Sequence, residues 1–414
     1  MVRAFFVALV LALGTNAEPG PAPAEPAPTP VPRHVFAVFF PELGPGSDLA
    51  RVDPLTLKPS ARPLRLAGGS AWTTAFSPDR TRLALSGGFG VASVELVDVR
   101  RMRSLGVVDL KMDGDLRFLS WEEHLVAVVD DYERRAVVIV DPRSREVLAR
   151  HPVDGAILQV ERGGPGQVVM LLGRRNGIGE LRLAVIDGKN MTVTSIPKLT
   201  GGSRVQRDGD DVLAREEVPA LVVDRAGRRA FVYEEGAVVE ISLSNLSGTF
   251  HALTKPVSIV QRFRNWLEPK AQAKLVEGFY RSGEWIGDGR FAVSGTDFAE
   301  ERSTPAGLAI VDTESWTLHK VDETVTEVAV SKDTLLTFGY STDEGIRGYD
   351  LAGNERFHLL RGKSVWIQIA GGLAYAQIGE GKRIAVIDTA TGRVLAKAQV
   401  DQPVTLVDDP PTLP

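Results

Sequence analysis

Apolar and polar positions along the chain fall into short strand-like runs, and the grouping recurs. An apolar strand, a polar turn, a second strand ending in a short polar residue and then a third come back at a period of roughly 40 residues. The clearest unit is Trp72–Leu110, where WTTAFSPD enters a turn, TRLALSGG and VASVELVDV read as two strands, and SLGVVDL as a fourth. In its first turn, Ser77-Pro78-Asp79, proline presets φ for a type I turn and the aspartate can cap it. The third strand repeats most visibly. It closes at Arg51-Val52-Asp53, Leu96-Val97-Asp98, Ile139-Val140-Asp141 and Val185-Ile186-Asp187, and again at Glu240-Ile241-Ser242, Ile310-Val311-Asp312, Gly348-Tyr349-Asp350 and Val386-Ile387-Asp388. Most intervals lie between 38 and 46 residues, and the two long ones, 55 and 70, bracket an insertion.

Four-stranded meanders at this period predict an all-β fold, a single β-propeller of four-stranded antiparallel blades. Counting units gives eight blades, with seven as the alternative if one degenerate unit is decoration. The first unit, His34–Leu66, has its second to fourth strands but no inner strand, and the last is followed by a spare apolar segment, Pro403–Val407. Pairing that segment into the first blade would close the ring and remove two open sheet edges. The recurring Asp and Ser residues are expected to be Asx-type turn initiators rather than a ring of ligands.

These units resemble the YVTN-type and WD40-like propeller repeats of bacterial exported proteins. The residues that carry the resemblance are Phe76-Ser77-Pro78-Asp79 with Leu83-Ala84-Leu85, and Ile384-Ala385-Val386-Ile387-Asp388-Thr389 with Thr391-Gly392-Arg393-Val394-Leu395. The Trp-Asp dipeptide and Gly-His partner of eukaryotic WD40 repeats are missing. The resemblance implies a propeller and leaves activity open, because the fold hosts binding scaffolds, lactonases and redox subunits alike.

The chain's first residues carry an export pattern. Arg3 is a minimal positive region, Ala4–Gly14 an apolar core and Thr15-Asn16-Ala17 a small-residue cleavage site, so 1–17 reads as a signal peptide cut after Ala17. That run is too short to span a bilayer, which needs about 20 residues; no membrane span is expected in the mature chain. Residues 18–32, rich in Pro, Ala, Glu and Thr, read as an extended solvated linker, either a spacer or a tether without a partner. The propeller is expected over 33–407 and a frayed tail over 408–414. Secreted or periplasmic localisation follows, and the absence of cysteine excludes disulfides, thiolate metal sites and a Cys-linked lipid anchor.

Net charge is −5 over 414 residues with no basic run, so nucleic-acid binding is not expected. His151, His251, His319 and His358 each follow a third strand, which puts them on outer fourth strands, away from an axial metal site. No metal, cofactor or catalytic residue is assigned. The acids of Leu199–Val218, read as an inter-blade loop, and Asp109, Asp113 and Asp115 lack the spacing of a calcium loop.

One stretch breaks the repeat. Residues 256–280 carry a helical periodicity, with Phe263, Trp266 and Leu267 and then Ala271, Leu275 and Val276 on one side, and Pro269 between two short helices. It reads either as a plug on the rim or as a partner-binding face in which Arg262, Arg264, Trp266 and Lys270 meet the partner. Trp72, Trp285 and Trp366, placed near the starts of inner strands, are the second candidate group, with Trp121 beside them; packing between blades is the competing explanation. The reading that emerges is a non-catalytic binding scaffold for a protein or small-molecule ligand in the cell envelope. The alternative is a lactonase-like or quinone-dependent dehydrogenase-like propeller. An enzyme predicts converging, pKa-perturbed polar groups on the axis; a scaffold predicts an exposed apolar patch on one face.

Overall fold

The structure, a computed structural model, describes residues 27–40, 46–67, 72–87, 90–131, 134–208, 211–224, 226–253, 276–300, 302–339, 342–379 and 381–407. Every element among them is a strand, and the architecture is a β-propeller. The expected meander is seen in Thr74–Phe76, Arg82–Ser86, Val91–Asp98 and Arg103–Asp113, paired antiparallel in that order.

The burial pattern explains why the middle strands are so apolar. Each blade is sandwiched between two others, so its second and third strands are covered on both faces, and alternation disappears. Val91–Asp98 is buried at Ala92 to Val97, and Thr334–Phe338 throughout. The outer strand Val147–Pro152 is instead half exposed. Leu96 and Val108 of one blade pack with Leu119, Val129 and Val138 of the next in a single cluster. Each fully buried Leu or Val of this kind contributes about 1.5–3 kcal/mol.

The blade count is corrected. Among the described residues, six four-stranded antiparallel sheets stand as separate blades, and the other strands join in one ten-stranded sheet. Neither eight nor seven separate blades are present. The physical reason is lateral fusion, which a count of repeated motifs does not register. Asn190–Asp208, 19 residues long, outruns its antiparallel partner Gly177–Asp187 and turns into Asp211–Val218. Asp211–Val218 then pairs in parallel with Val276–Gly287, from Arg215 opposite Glu277 to Val218 opposite Tyr280. The segment Leu199–Val218 is therefore a β-hairpin rather than a loop.

The helical insertion is corrected in the part that is described. Val276–Tyr280 is strand, because Val276–Gly287 is hydrogen-bonded on one side to Asp211–Val218 and on the other to Arg290–Glu300. Backbone pairing on both sides outweighs a local periodicity. The rest of the insertion, with Arg262, Arg264, Trp266 and Lys270, lies outside the described residues, as do residues 1–17, expected to be a signal peptide, and 408–414, expected to be a tail.

Ring closure follows the expected route. Val404–Leu406 pairs antiparallel with Val35–Phe39, giving a blade whose inner strand comes from the C-terminal end of the fold. Near the other end, Thr29 is buried and its N–H donates to Asp388 Oδ1 at 3.2 Å, so this part of the Pro-rich segment lies against a blade.

The recurrent third-strand aspartates do initiate turns. Asp53 Oδ1 accepts from the N–H groups of Leu55 and Thr56, Asp98 from Arg100 and Arg101, and Asp312 from Glu314 and Ser315. These hydrogen bonds, led by the Thr56 N–H for Asp53, hold the carboxyls below their ordinary range. Asp388 is the most buried of the set. It accepts from Thr29 N–H, Ala390 N–H at 3.1 Å and Thr391 Oγ1 at 2.8 Å. Its turn closes at Gly392, whose φ of +71° and whose contact with the Phe357 ring leave no room for a Cβ. Asp388→Ala is expected to cost about 1.5–3 kcal/mol, the range for hydrogen bonds to a charged group. Asp388→Asn should retain part of that. Urea denaturation of the two variants beside the parent measures both; equal midpoints for all three would refute the capping role.

Candidate functional site

The innermost strands meet around the axis and enclose a cavity of about 660 Å³. Ala156–Arg162 contributes Glu161 and Arg162, and Val276–Gly287 contributes Glu284 and Trp285. Val365–Ala370 contributes Trp366 and Gln368, and the closing strand contributes Leu406. The site is thus assembled from segments far apart in sequence, each fixed by a blade.

The polar wall has an identifiable logic. Inner strands carry a free edge toward the axis, with backbone groups that need partners. Glutamines supply them. Gln159 Oε1 accepts from Leu221 N–H at 2.7 Å and its Nε2 donates to the Arg281 carbonyl, tying three inner strands together. Gln368 Oε1 accepts from Leu406 N–H at 3.0 Å. Arg281 is itself buried and held by Asp297 at 2.5 Å and by the Thr296 carbonyl at 3.0 Å.

Two residues beyond Gln159 on the same strand stands Glu161, facing the cavity. Burial raises its carboxyl well above the ordinary glutamate range, and the nearby charge of Glu284 adds to the shift, while Arg162 opposes it. Tyr280, around the same sector, is raised by burial and then by Glu327, Glu161 and Glu216. Glu327 is raised by burial alone. This side of the axis is therefore rich in acidic groups. Asp224, also on the lining, is spoken for by Arg229 at 3.3 Å and the Arg228 N–H at 2.8 Å.

Of the sequence-derived candidates, Trp285 and Trp366 line the cavity and Trp72 directly precedes its Thr73. They are not all at strand starts. Trp366 opens its strand, and Trp72 lies just before Thr74–Phe76, but Trp285 sits near the end of Val276–Gly287. Trp72 and Trp366 are 60% and 43% exposed, the first stacked on Phe40 at 5.0 Å and the second edge-on to Phe338 at 5.5 Å. Trp285 combines both roles, stacking on buried Phe231 at 5.6 Å while lining the cavity. Trp121 is buried within an inter-blade core. His151, His251, His319 and His358 lie on outer strands as expected.

Gln159, Glu161, Gln368 and Glu284 were not singled out by sequence reasoning. For Gln159, Glu161 and Gln368 the signal was present, as polar residues within largely apolar inner strands, where a Gln or Glu has no structural turn to serve; Glu284 lies in a mixed strand that gives no such signal. Two larger clefts share no residue with this lining. One is lined by Asp109, Lys111, Arg135 and Arg150, but Lys111 pairs with Asp109 at 2.6 Å and Arg135 with Asp130 at 2.7 Å. Among the described residues no group of three His, Cys, Asp or Glu could hold a metal ion, and no helix is long and apolar enough to cross a membrane.

No protein-family model matches the chain, and no curated protein matches it in sequence. Solved structures match in fold. The dihydro-heme d1 dehydrogenase NirN in complex with DHE has a TM-score of 0.56 at 12% identity, covering 93% of this chain and 77% of that one. Sqt1 of Chaetomium thermophilum, bound to the N-terminus of the ribosomal protein L10, has 0.51 at 15% identity, covering 81% and 88%. Apo AztD of Citrobacter koseri has 0.50 at 13% identity, covering 91% and 98%. At these identities the likeness establishes the β-propeller fold and nothing finer.

Proposed function

We propose that the chain is an exported, non-catalytic binding propeller of the YVTN-like type, serving as a scaffold in a bacterial envelope and taking a small molecule or a partner's protruding segment into its axial cavity. One observation carries this reading. The inner strands bring two tryptophans and a pair of carboxyls to one cavity whose walls are locked by cross-strand glutamines. Rigid concave sites with a few placed polar groups are what ligands select. Two of the similar structures are complexes, one with a small ligand and one with a chain terminus. The export part of the proposal rests on Arg3, the apolar run Ala4–Gly14 and Thr15-Asn16-Ala17. A mature N-terminus at Glu18, read by N-terminal sequencing, is its expected outcome.

Native mass spectrometry on protein from its host's envelope fraction tests the binding reading. An added small mass or a second chain is expected, and Trp366→Ala should lose it. An adduct that survives both Trp366→Ala and Glu161→Gln would put binding elsewhere, and a bare mass would count against the reading. The specific observation favouring an enzyme is Glu161, whose carboxyl is raised well above the ordinary glutamate range by burial and by the charge of Glu284, the direction a general acid uses. Conversion of the bound molecule over time, abolished by Glu161→Gln, would establish that alternative.

A further inference from the structure

We infer that residues 27–34 are a fixed strap, docked on the last blade at the end of the inner strands away from the exposed tryptophans Trp72 and Trp366. The strap carries the chain's N-terminal side off the propeller there and leaves the tryptophan mouth of the axial cavity open to a partner. The docking stands on its own contacts; only the open mouth's use by a partner rests on the axial cavity being the binding site.

In Ala27-Pro28-Thr29-Pro30-Val31-Pro32 every second residue is proline, which has no N–H. Such a segment favours the extended polyproline conformation, makes no internal hydrogen bonds and loses little freedom when it docks. Thr29 has the one N–H between Pro28 and Pro30, and it donates to Asp388 Oδ1 at 3.2 Å. Both ends of that bond are buried, Thr29 at 8% and Asp388 at 0% exposure. A solvated linker would leave this N–H to water.

The blade is shaped to receive the strap. Gly371 and Gly372 form the turn between Val365–Ala370 and Leu373–Ile378. A Cβ on Gly371 would lie 2.7 Å from Pro32 Cγ, and one on Gly372 3.1 Å from Thr29 Cγ2, so side chains at the turn would crowd the strap. Pro32 and His34 go on to wall a cavity of about 240 Å³ together with Phe36, Phe76 and Gly371. That cavity joins the strap to Phe76, the last residue of the inner strand Thr74–Phe76.

Two inner strands fix which end of the axis this is. Val365–Ala370 has Trp366 near its start and the Gly371 turn after its end. Thr74–Phe76 follows Trp72 and ends at Phe76. In both, the tryptophan stands at one end and the strap at the other, and Trp366 and Ala370 are separated by about 13 Å at the usual rise of a strand. The strap therefore leaves Trp72 and Trp366 uncovered, consistent with their exposure.

The chain has no cysteine, so introduced thiols report one pair at a time. The Cβ position of Gly371 is 3.3 Å from Pro32 Cβ, near the spacing of a disulfide. The full chain with Pro32→Cys and Gly371→Cys is expected to lose both free thiols on mild oxidation without cross-linking between chains, while Pro32→Cys with Trp72→Cys keeps both. Trypsin gives a second readout that leaves the turn intact. Arg33 is exposed within the strap, and cutting after it should be slow while the strap is docked. Thr29→Pro removes the N–H and keeps the polyproline conformation, and it is expected to speed that cut about tenfold or more. Acrylamide quenching of tryptophan fluorescence should be the same in the disulfide-locked and reduced forms. Equal cutting of the parent and Thr29→Pro would overturn the strap, as would free thiols in a folded Pro32/Gly371 variant. Closure of the Pro32/Trp72 pair, or quenching that falls when the strap is locked, would overturn its placement away from the tryptophans. Binding in the axial cavity is read separately by native mass, so failure of the strap and failure of the cavity are told apart.

Discussion

A chain ending at Gln402 is expected to lose most or all of its stability and to associate through an open sheet edge. The removed segment supplies the inner strand of the closing blade. Val404, Leu406 and Val407 are 4%, 3% and 2% exposed, the first two packed between the first and last blades and Val407 between the first and second. At about 1.5–3 kcal/mol for each buried side chain, the loss is about 5–9 kcal/mol, against about 5–15 kcal/mol for a whole domain. Backbone partners go with them. Phe40 N–H loses the Pro403 carbonyl, the Phe36 carbonyl loses Val407 N–H, and Gln377 Nε2 loses the Val404 carbonyl. The exposed edge of Val35–Phe39 then becomes a template for another chain. A chain ending at Val407 keeps every one of these contacts and serves as the control. Urea denaturation and size-exclusion chromatography of the two give the answer, and a synthetic peptide of Gln402–Val407 should restore the midpoint of the shorter chain. Equal midpoints and elution for both truncations would show that closure contributes nothing.

That closure was legible because it follows from a deficit. A first unit without an inner strand and a last unit with a surplus apolar segment have one economical solution. The turn chemistry was legible for a similar reason, since an Asp at Asp53, Asp98 and Asp312 meets backbone donors two and three residues on, entirely within local sequence. The ten-stranded sheet was not legible. Its fusion depends on the pairing of Asp211–Val218 with Val276–Tyr280, two segments that each read as something else alone, an acidic loop and the end of a helix. Local periodicity cannot report a partner strand some 60 residues away. The site was half legible. Tryptophans draw attention by rarity, and Trp285 and Trp366 do line the cavity. The carboxyl pair escaped because Glu161 and Glu284 lie on different inner strands, and only the ring brings them together.

Acidic groups in this fold pull stability in opposite directions with pH. The turn aspartates and Asp322 sit below their ordinary range, so their contribution is present above about pH 4 and lost as pH falls through the folded values. Glu161, Glu234 and Glu327 are raised by burial and weaken the fold as pH climbs. The first set serves structure, at turns and inside a blade. Of the second, Glu161 faces the axial cavity.

Asp322→Ala is expected to be the most damaging single substitution of a charged residue, at about 3–5 kcal/mol, because it strands a buried phenol and takes one of two carboxylates from the half-buried Arg347 guanidinium. Asp322 Oδ2 accepts from Tyr349 Oη at 2.6 Å and from Arg347 Nη1 at 3.2 Å, and Oδ1 accepts from Thr324 N–H and Oγ1, each at 2.8 Å. Tyr349 is 3% and Asp322 7% exposed. Burial by itself would raise the Asp322 carboxyl, yet the Tyr349 hydroxyl, the Thr324 groups and the Arg347 charge outweigh it and hold the carboxyl low. The pH dependence follows with a definite sign. A carboxyl depressed by folding stabilises the fold above the ordinary carboxylate pKa of about 4 and stops doing so as pH falls through its folded value. The gap between the parent and Asp322→Ala should therefore be widest at pH 7 and narrow toward pH 3. Tyr349→Phe removes one partner and leaves the ion pair with Arg347, which Glu344 also holds at 2.7 Å, so its cost should be only about 1–2 kcal/mol. Urea midpoints of the parent, the two variants and their combination at pH 7 and pH 3 close a double-mutant cycle. A coupling near zero at pH 7, or a gap that widens toward acid, would mean that the ionised carboxyl is not what holds this blade together.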